Sequence, residues 1–171
     1  EGHPCKPDHP YSITKLAGEQ IALSYDQLKG LEVISLRLGT AYGERMRSNS
    51  VFGIFTTRAL KGEPIIIKGS GQQFRQFTHA KDIAQAFILA TRSPVHGEVF
   101  NIVSSEAVTI QQLAELVVQR TPTSIIYSEA RQADVKPTHI SAQKAQQEIG
   151  WEATVPFEFG LSNLLDWYAS S

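Results

Sequence analysis

At 171 residues with 42% hydrophobic content, the chain holds enough apolar material for one globular domain with a sizeable core. Sixteen Lys and Arg against seventeen Asp and Glu leave a net charge of −1 and no basic stripe, which argues against nucleic acid as a partner. No apolar run approaches the roughly 20 residues of a membrane span, and the lone Cys5 rules out an internal disulfide and points to a reducing, cytoplasmic compartment.

Residues 11–29 have helical periodicity, with Ile13, Ala17, Ile21, Tyr25 and Leu28 on one stripe and Gly30 as the stop. Residues 31–38 are apolar and β-branched enough for a buried strand of a parallel sheet. A loop is expected over 39–50, then a helix over 51–61 ended by Gly62-Glu-Pro64. Two strands, 65–67 and 74–78, flank Gly69-Ser-Gly71, which reads as a hairpin turn. A helix over 80–92 and a strand over 99–103 follow. Thr109-x-x-Gln112 has the spacing of a capping box, with Ile110, Leu113, Ala114 and Val117 on one helical face behind it. Residues 124–127 suit a short strand and 141–148 a helix closed by Gly150. Pro156 opens a last helix that buries Leu161, Leu164, Leu165 and Tyr168. Strands alternating with helices place the chain in the α/β class.

Tyr11 and Lys15 lie four residues apart, so a helix puts them on one face, one turn from each other. An ammonium beside a phenol favours the phenolate, and a phenolate can take a proton from an alcohol or sugar hydroxyl. The same spacing also suits an aromatic ring lying against a lysine stem on a solvated helix. The histidines and carboxylates show no metal-ligand spacing. His79 suits either a pocket wall or a buried, hydrogen-bonded position.

Several further motifs occur in order. They are Ser35-Leu-Arg-Leu-Gly-Thr-Ala-Tyr-Gly43, Ala59-Leu-Lys-Gly-Glu-Pro64, Gly69-Ser-Gly71, Phe74-Arg-Gln-Phe77 with Lys81-Asp82, Gly97-Glu-Val-Phe-Asn-Ile102, Arg131-Gln-Ala-Asp134 and Ile149-Gly-Trp151. With Pro10-Tyr11 through Glu19, they make the chain resemble the C-terminal half of an extended short-chain dehydrogenase/reductase, in the NAD-dependent epimerase/dehydratase family. The Gly-rich turn that receives the dinucleotide pyrophosphate in such folds is absent from these 171 residues. Starting at Glu1 with Met46 as its only methionine, the sequence reads as a piece of a longer protein.

The resemblance implies an α/β fold made of the C-terminal part of a Rossmann-type sheet and a small substrate-binding lobe. Residues 1–60 would end the NAD-binding domain, and 61–171 would mainly build the lobe. It implies Tyr11 as the catalytic base and Lys15 as its partner on the NAD ribose. The substrate would be a nucleotide-diphosphate sugar, with Arg75 and Arg131 on the diphosphate, Asp134 on the nucleotide ribose and Thr40 near the substrate. Bidentate guanidinium groups suit phosphate oxygens, although either arginine could also be a solvated surface charge. Thr40 stands where the family often has Asn, Gln76 where it has Asp, and Lys81 in place of the first of two acids. At these three positions the chain departs from the family's pattern. The expected activity is epimerisation of a nucleotide sugar, lost when the chain is isolated. Dehydratase or decarboxylase chemistry, and a non-catalytic binding or oligomerising remnant, stay open. With its sheet neighbours missing, the 31–38 strand would expose an apolar edge, and self-association into a homo-oligomer is expected.

Overall fold

The computed structural model describes residues 1–129 and 138–170. The first helix, α1 (Pro10–Lys29), leads to β1 (Ile34–Leu38), β2 (Thr40–Tyr42) and α2 (Val51–Leu60). Then come β3 (Ile65–Lys68), β4 (Phe74–Arg75), β5 (Phe77–His79), α3 (Ala80–Arg92) and β6 (Glu98–Ile102). The chain continues through β7 (Val108–Thr109), α4 (Ile110–Val118), β8 (Ile125–Ser128), α5 (Gln143–Ile149) and α6 (Phe157–Ser170).

Three strand pairs are parallel: β1 with β6, β2 with β5, and β3 with β8. Only the short β4–β7 pair is antiparallel among the described residues. Parallel partners need crossovers, and the helices supply them, as the α/β class requires.

The expected hairpin over 65–78 is not formed. β3 pairs with β8 and β5 pairs with β2, so the Gly69-Ser-Gly71 turn joins strands with different partners. Gly69 and Gly71 both have φ of +73°, and the turn leads into β4 while being tied to the start of α4, where the Gln111 N–H donates to Gly71 O at 3.0 Å. The expected single strand over 74–78 is split at Gln76 into β4 and β5. The expected loop over 39–50 contains β2, which Phe77–His79 hold in register. The 31–38 strand is shorter than expected and only half-buried, since Ile34–Arg37 are intermediate and Leu38 is exposed.

Two apolar cores form. One gathers Phe52 and Phe55 from α2, Ile65 and Ile67 from β3, and Leu113 and Leu161 from α4 and α6. The other packs Phe100 and Ile102 from β6 against Ala86, Ile149 and Trp151. Asp82, almost fully buried, ties α3 to the chain after α5. Its carboxylate accepts from the Thr154 N–H and hydroxyl and the Val155 N–H, and its carbonyl accepts from Trp151 Nε1 at 2.9 Å. The α6 stripe packs as expected, with Leu161, Leu164 and Leu165 buried and Tyr168 partly so. No described helix is long and apolar enough to cross a membrane.

Candidate active site

Pro10 occupies the first turn of α1, where its missing N–H costs nothing. The Ser12 hydroxyl adds a bond to His9 O at 2.8 Å. Gly30, left-handed at φ +65°, closes the helix and donates to Asp26 O. A two-pronged ion pair docks α1 on β1: Arg37 Nε and Nη2 donate to the two Glu19 carboxylate oxygens at 2.8 and 2.7 Å. The Arg37 guanidinium holds the Glu19 carboxyl below its ordinary range.

On this docked helix Tyr11 and Lys15 meet as the four-residue spacing requires, with Lys15 Nζ 5.6 Å from the Tyr11 ring centroid. Tyr11 is 67% exposed, so its face is open to a ligand. Tyr42 is the opposite case. Burial pushes its phenol well above the ordinary range, and nearby Glu106 and Asp82 add to the effect, which keeps it protonated. Its hydroxyl lies against Gly160, where a Cβ would collide with the Tyr42 hydroxyl and the His79 ring. Tyr42 is a core residue and no base.

A cavity of about 380 Å³ opens between β3, β4 and α2. Strand alternation builds its wall, because successive side chains of a strand point to opposite faces. Ile65 and Ile67 fill the core while Ile66 and Lys68 line the cavity. In the same way Gln73, Arg75 and Phe77 face it in alternation. Val51, Ile54 and Phe55 of α2 form an apolar side, and Thr40 and Asn49 add polar groups. No Asp or Glu lines it among the described residues. Arg75 spends one Nη1 bond on Phe74 O at 3.0 Å and has no acidic partner among the described residues.

The model of the NAD dependent epimerase/dehydratase family matches residues 1–103, more than half of the chain. The chain belongs to that family. It is 28% identical over its whole length to a dTDP-glucose 4,6-dehydratase of Actinoplanes sp., covering 54% of that protein. Among solved structures, a UDP-glucose 4-epimerase from Thermotoga maritima, determined with UDP-glucose, superposes on it with a TM-score of 0.89 at 30% identity. That match covers 96% of this chain and 55% of the other. A dTDP-glucose 4,6-dehydratase from Bacillus anthracis, in complex with NAD, gives a TM-score of 0.90 at 28% identity, covering 100% of this chain and 55% of that one. The chain thus spans about half the length of the relatives it matches, and its α/β fold is that of the Rossmann-type members of the family.

Of the residues singled out in the sequence, Tyr11 and Lys15 come together on α1, and Thr40 and Arg75 come together in the cavity. The α1 pair is not part of the cavity wall. Arg131 and Asp134 lie outside the described residues. His79 is buried and caps α3, with Nδ1 accepting from the Lys81 N–H at 3.2 Å. The ring proton therefore sits on Nε2, which has no hydrogen-bond partner among the described residues and faces Glu44 Oε2 at 3.9 Å. Sequence reasoning missed Asn49, Lys68 and Gln73. For Lys68 and Gln73, counting by twos from Arg75 and Ile66 along the strands would have found them.

Proposed function

We propose that the chain supplies the catalytic helix and the nucleotide-sugar pocket of an NAD-dependent nucleotide-sugar epimerase. The observation that carries this reading is the open Tyr11–Lys15 pair on a helix braced by Glu19 and Arg37. In this reading residues 1–60 belong to the cofactor side and 61–171 mainly to the substrate side. Tyr11 takes the proton from a sugar hydroxyl. Lys15, exposed and without an ion-pair partner among the described residues, is free to donate to the ribose of the cofactor. These two residues fit the nicotinamide end of NAD, whereas no residue of this chain forms a Gly-rich pyrophosphate turn. When bound, NAD supplies the hydride acceptor and donor.

The cavity receives the nucleotide part. Its apolar side suits a planar base, and Arg75 offers its remaining N–H donors to phosphate oxygens. Arg131 and Asp134 complete the diphosphate and ribose contacts, and Thr40 faces the substrate. The substrate class is a nucleotide-diphosphate sugar, the assembly a homo-oligomer and the compartment the cytoplasm. Alone, without the pyrophosphate turn, the chain is inactive.

Dehydratase chemistry is the second reading, favoured by the match to the Actinoplanes dehydratase over the whole chain. Both readings are tested in a polypeptide that joins this chain to a Gly-rich NAD-binding half. Epimerisation of UDP-glucose leaves the product mass unchanged, while dehydration of UDP- or dTDP-glucose removes one water. Tyr11→Phe should lower turnover by about 100-fold or more with nucleotide-sugar affinity nearly unchanged. A variant keeping more than about half of the activity would show that Tyr11 is not the base.

A further inference from the structure

The cavity holds a second cation whose partner the family reading leaves unassigned. Lys68 ends β3, and the strand's alternation turns it to the cavity with Ile66 while Ile65 and Ile67 stay in the core. It is exposed, and among the described residues it forms no ion pair or side-chain hydrogen bond. Arg75 reaches the same cavity from β4, likewise without an acidic partner among the described residues. Two cations on one concave surface, with no carboxylate among its described lining residues, repel each other, and the low-dielectric wall of Val51, Ile54 and Phe55 strengthens their joint field. An anion bound between them would remove that repulsion.

We infer that Lys68 is a second anion-binding side chain of this pocket, sharing the diphosphate of the nucleotide with Arg75. The inference rests on the nucleotide-sugar reading of the cavity. The chemistry of the two groups divides their work. The planar guanidinium fixes phosphate oxygens through paired donors, while the ammonium is a compact, hydrated charge on a flexible stem that follows the phosphate at the rim. The apolar side formed by Val51, Ile54 and Phe55 is left for the base.

Calorimetry on the 171-residue chain tests this, with UDP and uridine as probes and Lys68→Met and Lys68→Arg as variants. Lys68 is exposed at a strand end, so both variants should unfold at the wild-type temperature. Lys68→Met should weaken UDP about three- to tenfold and reduce the salt dependence of UDP binding, with uridine unchanged within about twofold. Lys68→Arg should stay close to wild type. An equal loss for UDP and uridine would overturn the inference, because Lys68 would then contact the base or ribose. An unchanged UDP affinity in Lys68→Met, alongside a clear loss in Arg75→Ala, would also overturn it and leave Lys68 a solvated rim charge. If the folded wild-type chain binds neither UDP nor dTDP, the nucleotide reading of the cavity itself fails.

Discussion

Gln76 breaks the strand between β4 and β5, and three hydrogen bonds depend on its side chain. Nε2 donates to Ser104 O at 2.8 Å and to Ile140 O at 2.9 Å, and Oε1 accepts from the Ile140 N–H at 2.7 Å. The residue is only 8% exposed, so water replaces these bonds poorly. At a net of about 1 kcal/mol each, less some recovered side-chain entropy, Gln76→Ala should cost about 2–3 kcal/mol, or roughly 5–10 °C in melting temperature. Gln76→Glu is nearly isosteric but should cost more near neutral pH, about 3–4 kcal/mol, because a carboxylate would face two carbonyl oxygens and lose both donors. Repulsion disfavours the ionised form in the folded state, so the introduced carboxyl has a raised folded pKa. The folded variant then binds a proton before the unfolded chain does, and its deficit shrinks as pH falls through that folded pKa. Urea denaturation at about pH 7 and about pH 5 measures both effects. A Gln76→Ala variant within about 0.5 kcal/mol of wild type would refute the reasoning, as would a Gln76→Glu deficit that does not shrink with acid.

The remaining expectations concern the cofactor, pH and assembly. The chain alone should not bind NAD tightly, since the turn and helix N-terminus that hold a pyrophosphate are not among its residues; micromolar binding by calorimetry would contradict this. Burial lowers the pKa of His79 below its ordinary 6.5, against the opposing pull of Glu44 and Asp82. Its neutral ring therefore contributes stability that is complete above pH 6.5 and is lost as pH falls below it. His79→Asn, which keeps a capping side chain, should flatten that part of the stability profile, and an unchanged slope in denaturation series would exclude His79 as its source. Ile13, Ile21, Tyr25 and Leu28 are 51%, 59%, 52% and 77% exposed on α1, so the chain should self-associate to cover them. Light scattering that finds a monomer at every concentration would rule this out.

Local patterns were legible where a physical constraint acts within a few residues. The four-residue Tyr11–Lys15 spacing became a ring–ammonium contact, the Thr109–Gln112 pair became a reciprocal cap, and Gly30 and Gly150 close their helices in the left-handed conformation. The strand partners were not legible. Nothing near Ile65 says that its neighbour in the sheet is Ile125, and two short strands beside a Gly-Ser-Gly turn resemble a hairpin until the parallel crossover is seen. The α1 stripe shows a further limit. Its periodicity is right for a helix, yet no residue of α1 is buried, because periodicity reports a face and not what covers it.

The site follows the same division. Arg75 was legible as a motif residue, but its place in a cavity whose described lining holds no carboxylate depends on β3, β4 and α2 meeting there. Once that arrangement exists, alternation alone turns Lys68 and Gln73 inward with Arg75, and Gln76 to the opposite side, where it needs an amide's two donors and one acceptor. In the sequence, Gln76 looks like a lost acid. In the fold, an ionised acid suits this position worse than the amide, because the two groups facing its Nε2 are carbonyl oxygens.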